Sequence, residues 1–86
     1  MRIAILGNGG FGTAMALSLA RTGREVALWG HDPAYTGQIA ATRRNPRYLE
    51  DVELPASVLV SADAAAVLHG ADAVLVACPR STSAAW

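Results

Sequence analysis

Gly7-Asn8-Gly9-Gly10-Phe11-Gly12 decides the reading of this chain. It follows the apolar run Ile3-Ala4-Ile5-Leu6, which is the length of one buried strand. It precedes Thr13-Ala14-Met15-Ala16-Leu17-Ser18-Leu19-Ala20, which reads as a helix. Strand, glycine turn and helix together lift G-x-G-x-x-G above a chance match. Each glycine has a separate physical task. Gly7 lets the chain leave the strand in a tight turn. Gly9 lets a ligand's pyrophosphate approach the backbone. Gly12 lets the helix pack closely on the strand. The helix N-terminus offers unpaired N–H groups and a partial positive charge to phosphates. The competing reading is a glycine-rich turn that holds no ligand.

The rest of the chain repeats the strand–helix alternation. The first strand spans about residues 2 to 6. It lacks clean alternation, so it reads as a central parallel strand covered on both faces. The first helix spans about Phe11 to Thr22, with Met15, Leu19 and Thr22 on one stripe and Gly23 just past its end. Glu25–Trp29 is the second strand, parallel to the first across a right-handed crossover. Asp32-Pro33 starts a helix over Ala34 to Thr42, with aspartate as N-cap and proline in the first position. Arg43 to Asp51 is a long polar connection, and Val52 to Pro55 reads as a brief extended piece. Val58-Leu59-Val60 is a third strand. Ser61 then caps a helix with Asp63 in its first turn and Gly70 past its end. Ala73 to Ala77 is the fourth strand and reads as the most plainly buried. Pro79 ends it, and Ser81 or Ser83 starts another helix.

The fold class is therefore α/β: a Rossmann-type parallel sheet with helices on both faces, of which 86 residues supply the N-terminal portion only. A complete dinucleotide-binding fold has about six strands, and about four are countable here. Such a chain is expected to lack some of the layers that cover both sheet faces.

Composition excludes several function classes. Apolar residues make up 52% and formal net charge is zero, which suits a globular piece and not a disordered one. There is no basic excess for nucleic acid. No apolar run approaches the roughly 20 residues that span a bilayer. The N-terminus goes straight into a strand without a leader, so a cytoplasmic location is expected. Cys78, the one cysteine, follows a strand and reads as a packed, inert thiol; no metal site is expected. The absence of G-K-[ST] after the glycines disfavours a P-loop nucleotide triphosphatase.

The cofactor choice turns on the end of the second strand. An acid there holds the ribose hydroxyls of NAD, whereas basic groups suit the 2′-phosphate of NADP. Counting about 20 residues from the glycines reaches Asp32, which favours NAD. Yet the strand ends at Trp29, and Asp32 is better used as the N-cap beside Pro33. His31 then sits where it can contact a 2′-phosphate, with Arg43 or Arg44 to assist. NADP is favoured, with NAD as the alternative. Phe11 either covers the ligand or packs as a helix residue, and spacing favours packing. The backbone N–H groups of Gly10 and Phe11 are better phosphate ligands than any side chain nearby. Arg43, Arg44 and Arg47 form a basic cluster beside Tyr48 that reads either as a solvated loop or as a site for a phosphorylated ligand or partner.

Three blocks carry a family resemblance: Gly7 through Ala14, Leu28-Trp29-Gly30-His31-Asp32-Pro33, and Asn45-Pro46-Arg47-Tyr48-Leu49 followed by Leu54-Pro55. Ala71-Asp72-Ala73-Val74 running to Pro79 extends the match. Together they resemble the N-terminal domain of bacterial NAD(P)-dependent glycerol-3-phosphate dehydrogenase. The resemblance implies reversible hydride transfer between NAD(P)H and dihydroxyacetone phosphate, giving sn-glycerol 3-phosphate for phospholipid synthesis. It implies that Gly10, Phe11 and His31 contact the cofactor, so the expected site is Gly7, Gly9, Gly10, Phe11, Gly12 and His31. It also implies that residues 1–86 are a partial NAD(P)-binding domain. The catalytic lysine and the substrate-binding helical domain then lie beyond Trp86, so no catalytic residue is assigned and the chain alone is expected to be inactive. A small phosphorylated substrate and a homodimer are expected only of the full-length protein. Two departures stand out. The family usually has serine and an indole or phenol ring where this chain has Gly10 and Phe11, and Arg80 follows Pro79 in place of serine. The rival readings are a non-catalytic dinucleotide-binding module, a related hydroxy-acid or sugar-nucleotide dehydrogenase, and a truncated product that does not fold.

Overall fold

The computed structural model describes residues 1–47, 51 and 53–77. It contains β1 (Arg2–Leu6), α1 (Gly10–Arg21), β2 (Glu25–Trp29), α2 (Pro33–Thr42), β3 (Leu59–Ser61), α3 (Ala64–Leu68) and β4 (Ala73–Val76). All three strand pairings are parallel, in the order β3-β2-β1-β4. The chain steps one way from β1 to β3 and returns to the far side of β1 for β4. Right-handed crossovers then put α1 and α2 on one face and α3 on the other, and the packing agrees. Ile3, Ile5, Val26, Leu28 and Val60 meet Ala16 of α1 and Ile39 of α2. On the opposite face, Ala4 and Ala27 meet Val67 of α3, flanked by Leu6, Trp29 and Ala71. This is the Rossmann-type arrangement, and β1 sits centrally in it, as its unbroken apolar run requires.

Local chemistry sets the element ends. Gly23 follows α1 with φ +88 and donates its N–H to Ala20 O, the left-handed stop expected of it. Asp32 caps α2 by accepting from the N–H groups of Ala34 and Tyr35 at 3.0 and 3.3 Å. The far end of α2 has no glycine. Arg43 takes the left-handed conformation itself, φ 62, and its guanidinium donates to the carbonyls of Pro55 and Val58. Those bonds fasten the connection after α2 to the strand that follows.

Four expectations need correction. The inward face of α1 is Gly12, Thr13 and Ala16, not Met15, Leu19 and Thr22. Small residues let the helix approach β1 closely, while Met15 and Leu19 pack at the margin and Thr22 is exposed. Asp63, not Ser61, caps α3, accepting from Ala65 N–H at 3.0 Å; Ser61 Oγ instead accepts from Asp63 N–H. Residues 53–55 carry no strand. Leu54 is buried, and its N–H donates to Arg43 O. Finally, β4 is exposed rather than buried. Val74, Leu75 and Val76 are 47%, 38% and 51% accessible, because β4 is an edge with no neighbour on its outer side among the described residues. The readings of Tyr48, Val52, Cys78, Pro79 and Arg80, and of a helix from Ser81 or Ser83, lie outside the described residues.

Candidate functional site

The order β3-β2-β1-β4 reverses between β1 and β4, and open α/β sheets bind ligands at such a switch point, beyond the carboxyl ends of the strands. A cleft of about 290 Å³ lies there. Gly7 to Phe11 and Ala77 line it from the ends of β1 and β4 and the start of α1; His31, Asp32, Tyr35 and Arg47 line it from the end of β2, from α2 and from the connection after α2.

The glycine loop is shaped by close approach. Gly7 has φ +121, and a Cβ there would lie 3.0 Å from the carbonyl carbon of Ala77 and nearer still to its oxygen. A Cβ on Gly12 would lie 2.9 Å from the carbonyl carbon of Gly7, nearer still to its oxygen, and 3.3 Å from Ala77 Cβ. Gly9 differs: a Cβ there would meet nothing within 4 Å. Two of the motif's outer glycines thus serve the fold, while the middle one borders open space.

Gly9 is also the N-cap of α1, and no side chain caps it. Thr13 N–H is already bonded to Gly9 O at 3.0 Å. The N–H groups of Gly10, Phe11 and Gly12 precede it in the first turn, where a helix gives them no internal acceptor. No acid occupies that turn to compete for them. This is the arrangement that receives a phosphate. Phe11 is 70% exposed, so it does not pack as spacing favours. It lies beside inward-facing Gly12 and Thr13 and lines the cleft.

A buried polar network fixes the loop. Asn45 is fully buried; its Nδ2 donates to Asn8 O and to Thr13 Oγ1, each at 2.8 Å. Its Oδ1 accepts from the Tyr35 hydroxyl and from Arg47 N–H at 3.1 Å. Asn8 Nδ2 donates to Thr36 Oγ1 at 3.0 Å, and all of Asn8, Thr13 and Thr36 are buried. The network joins the glycine loop to α1, α2 and the connection after α2. Gly30 permits it, since a Cβ there would sit 2.6 Å from Asn8 Cγ.

His31 stands at the tip of β2 on the cleft wall, exposed, with its ring 6.4 Å from that of Trp29. Asp32 is beside it, its Oδ1 committed to the α2 cap. Arg43 and Arg44, expected to assist His31, do not line the cleft; Arg43 is turned to Pro55 and Val58. Arg47 does line it. Sequence reasoning missed Tyr35 as a wall residue, Gly30 as a required glycine, and Asn45 as the hub. Asn45 opens the Asn-Pro-Arg-Tyr-Leu block, so its distinctiveness was visible while its burial was not. Among the described residues no group of histidine, cysteine or acids is placed to hold a metal.

A model of the family described as NAD-dependent glycerol-3-phosphate dehydrogenase N-terminus matches residues 2–86. A glycerol-3-phosphate dehydrogenase [NAD(P)+] of Rhodospirillum rubrum is 46% identical over 77 residues, 90% of this chain and 22% of the relative. One from Brucella canis is 47% identical over 78 residues, 91% of this chain and 24% of the relative. The crystal structure of glycerol-3-phosphate dehydrogenase from Coxiella burnetii superposes with a TM-score of 0.83 at 39% identity, covering 87% of this chain and 23% of that one. The chain spans less than a quarter of the length of each of these relatives.

Proposed function

The chain belongs to the NAD-dependent glycerol-3-phosphate dehydrogenase N-terminus family, and from that premise we propose that its cleft holds NADP(H) in preference to NAD(H). The observation that carries this reading is the first turn of α1: uncapped, free of acids and opening on the cleft at the switch point. The N–H groups of Gly10 and Phe11 receive the diphosphate, Gly9 leaves it room, and Phe11 lines the cleft. Gly7 and Gly12 hold the loop's shape. His31 faces the adenosine ribose, where Asp32 is engaged as a cap and offers the weaker claim. A cleft of about 290 Å³ is at the lower end of ligand-site volumes and suits part of a dinucleotide.

The reaction served is reversible hydride transfer between NAD(P)H and dihydroxyacetone phosphate, giving sn-glycerol 3-phosphate for phospholipid synthesis. The nicotinamide supplies the hydride; this chain binds and orients the dinucleotide. Residues 1–86 act as the front of the cofactor domain, in the cytoplasm, and turn over no substrate alone. Substrate binding and dimerisation belong to a longer protein. Among the described residues no helix is long and apolar enough to cross a membrane.

Calorimetric titration of the chain with NADPH and NADH tests the reading. NADPH is expected to bind about tenfold tighter, the effect of one charge-assisted hydrogen bond. His31→Ala should shrink that preference several-fold. Equal or tighter binding of NADH would overturn the NADP preference and return Asp32 to the ribose. No binding of either by a folded chain would overturn the site.

A further inference from the structure

Of the three arginines clustered after α2, one reaches the cleft. Arg43 is committed to the carbonyls of Pro55 and Val58, and Arg44 does not line the cavity. Arg47 lines it, together with His31, Asp32 and Tyr35. Its guanidinium carbon lies 4.5 Å from the centroid of the Tyr35 ring, and its backbone N–H donates to Asn45 Oδ1. The Tyr35 hydroxyl bonds the same Asn45 oxygen. Platform and cation are therefore set by one buried side chain, which also holds Asn8 O of the glycine loop.

We propose that Arg47 is a specificity-determining residue: it reads the 2′-phosphate of the adenosine half of the cofactor, beside His31. This rests on the dinucleotide reading above. Three features support it. His31, Asp32 and Tyr35 stand at the end of β2 and the start of α2, where this fold places the adenosine ribose, and Arg47 joins them with its guanidinium over the Tyr35 ring. The contact with Tyr35 is made by the ring's electrons and consumes no N–H, so the guanidinium keeps its donors for an anion. No ion pair engages Arg47 among the described residues, and an arginine's fixed charge and forked donors match a phosphomonoester. Holding the side chain over a ring also reduces the rotamer freedom lost on binding.

The test uses the full chain with adenosine 2′,5′-bisphosphate and adenosine 5′-monophosphate as probes. Arg47→Gln should weaken the bisphosphate about tenfold or more and leave the monophosphate within about twofold. Arg47→Lys should give a smaller loss for the bisphosphate, since it keeps the charge and loses the fork. Arg47 is exposed, and thermal melts of both variants should match the parent. Equal weakening of both probes by Arg47→Gln would overturn the proposal, because Arg47 would then contact the adenine or the shared 5′-phosphate; the dinucleotide reading would stand. An unchanged bisphosphate affinity would overturn it too. If the parent chain binds neither probe nor either dinucleotide, both readings fall together.

Discussion

Gly12→Ala is expected to destabilise the chain by about 3 kcal/mol or more, the upper range for overpacking. The added Cβ would sit 2.9 Å from the carbonyl carbon of Gly7, closer still to its oxygen, and 3.3 Å from Ala77 Cβ. Two of those neighbours are backbone and cannot rotate away. Relief would require α1 to lift from β1, opening the face where Ala16 meets Ile3 and Ile5. Small domains gain or lose about 4–8 °C of melting temperature per kcal/mol, so the melt should fall by at least about 12 °C. Gly9→Ala is the matched control. Its backbone, φ −73 and ψ −165, suits any residue, and the new Cβ meets nothing within 4 Å. Losing glycine's chain entropy favours the fold, while alanine is a poorer N-cap, and the two effects are of similar size. Its melt should stay within about 1 kcal/mol of the parent, yet its dinucleotide affinity should drop. A Gly12→Ala chain that melts with the parent would contradict the packing of α1 on β1.

The second large effect is expected at Asn45. Asn45→Ala removes both donors from Asn8 O and Thr13 Oγ1 and the acceptor from Tyr35 and Arg47 N–H. Thr13 Oγ1 still donates to Asn8 O at 3.3 Å, so the cost comes from the lost Asn45 bonds, about 1 kcal/mol each, and from the cavity that the truncated side chain leaves. A loss of about 3 kcal/mol is expected. Asn45→Asp should be no better, because it keeps the acceptor oxygen while setting a carboxylate against the Asn8 carbonyl in a fully buried site. Both variants should also loosen the glycine loop, so binding should fall in whatever fraction stays folded. Denaturant melts with tryptophan emission read the first effect: Trp29 is half-buried, with its indole N–H bonded to Ala62 O. A melt for Asn45→Ala within about 1 kcal/mol of the parent would mean that the network does not organise the loop.

Much of the fold was legible because local signals agree. The apolar run before Gly7, the Asp32-Pro33 start and the glycine at 23 each specify one conformation, and β1, α1, β2 and α2 form within a residue of their expected places. What failed depends on neighbours in space. Val74, Leu75 and Val76 read as buried from their composition, yet β4 is an edge among the described residues, and no local pattern records which strand has a partner. Ser61 and Asp63 are both sound capping residues, and only the path of the chain out of β3 chooses between them. The site divides in the same way. Gly7, Gly9, Gly10, Phe11 and His31 were readable from motif and resemblance, and all line the cleft. Gly12, read from the same motif, lies behind it and acts through packing. Arg47 could not be separated from Arg43 and Arg44 by spacing, since the choice is made by carbonyls of Pro55 and Val58 that lie later in the chain.

On the proposed function, the first turn of α1 holds a dinucleotide's diphosphate through its backbone. A two-dimensional amide NMR titration of the chain with NADPH tests this residue by residue. The N–H resonances of Gly9, Gly10, Phe11 and Gly12 should move most, with those of His31 and Arg47 following. Shifts that saturate elsewhere while the glycine-loop amides stay still would contradict the claim.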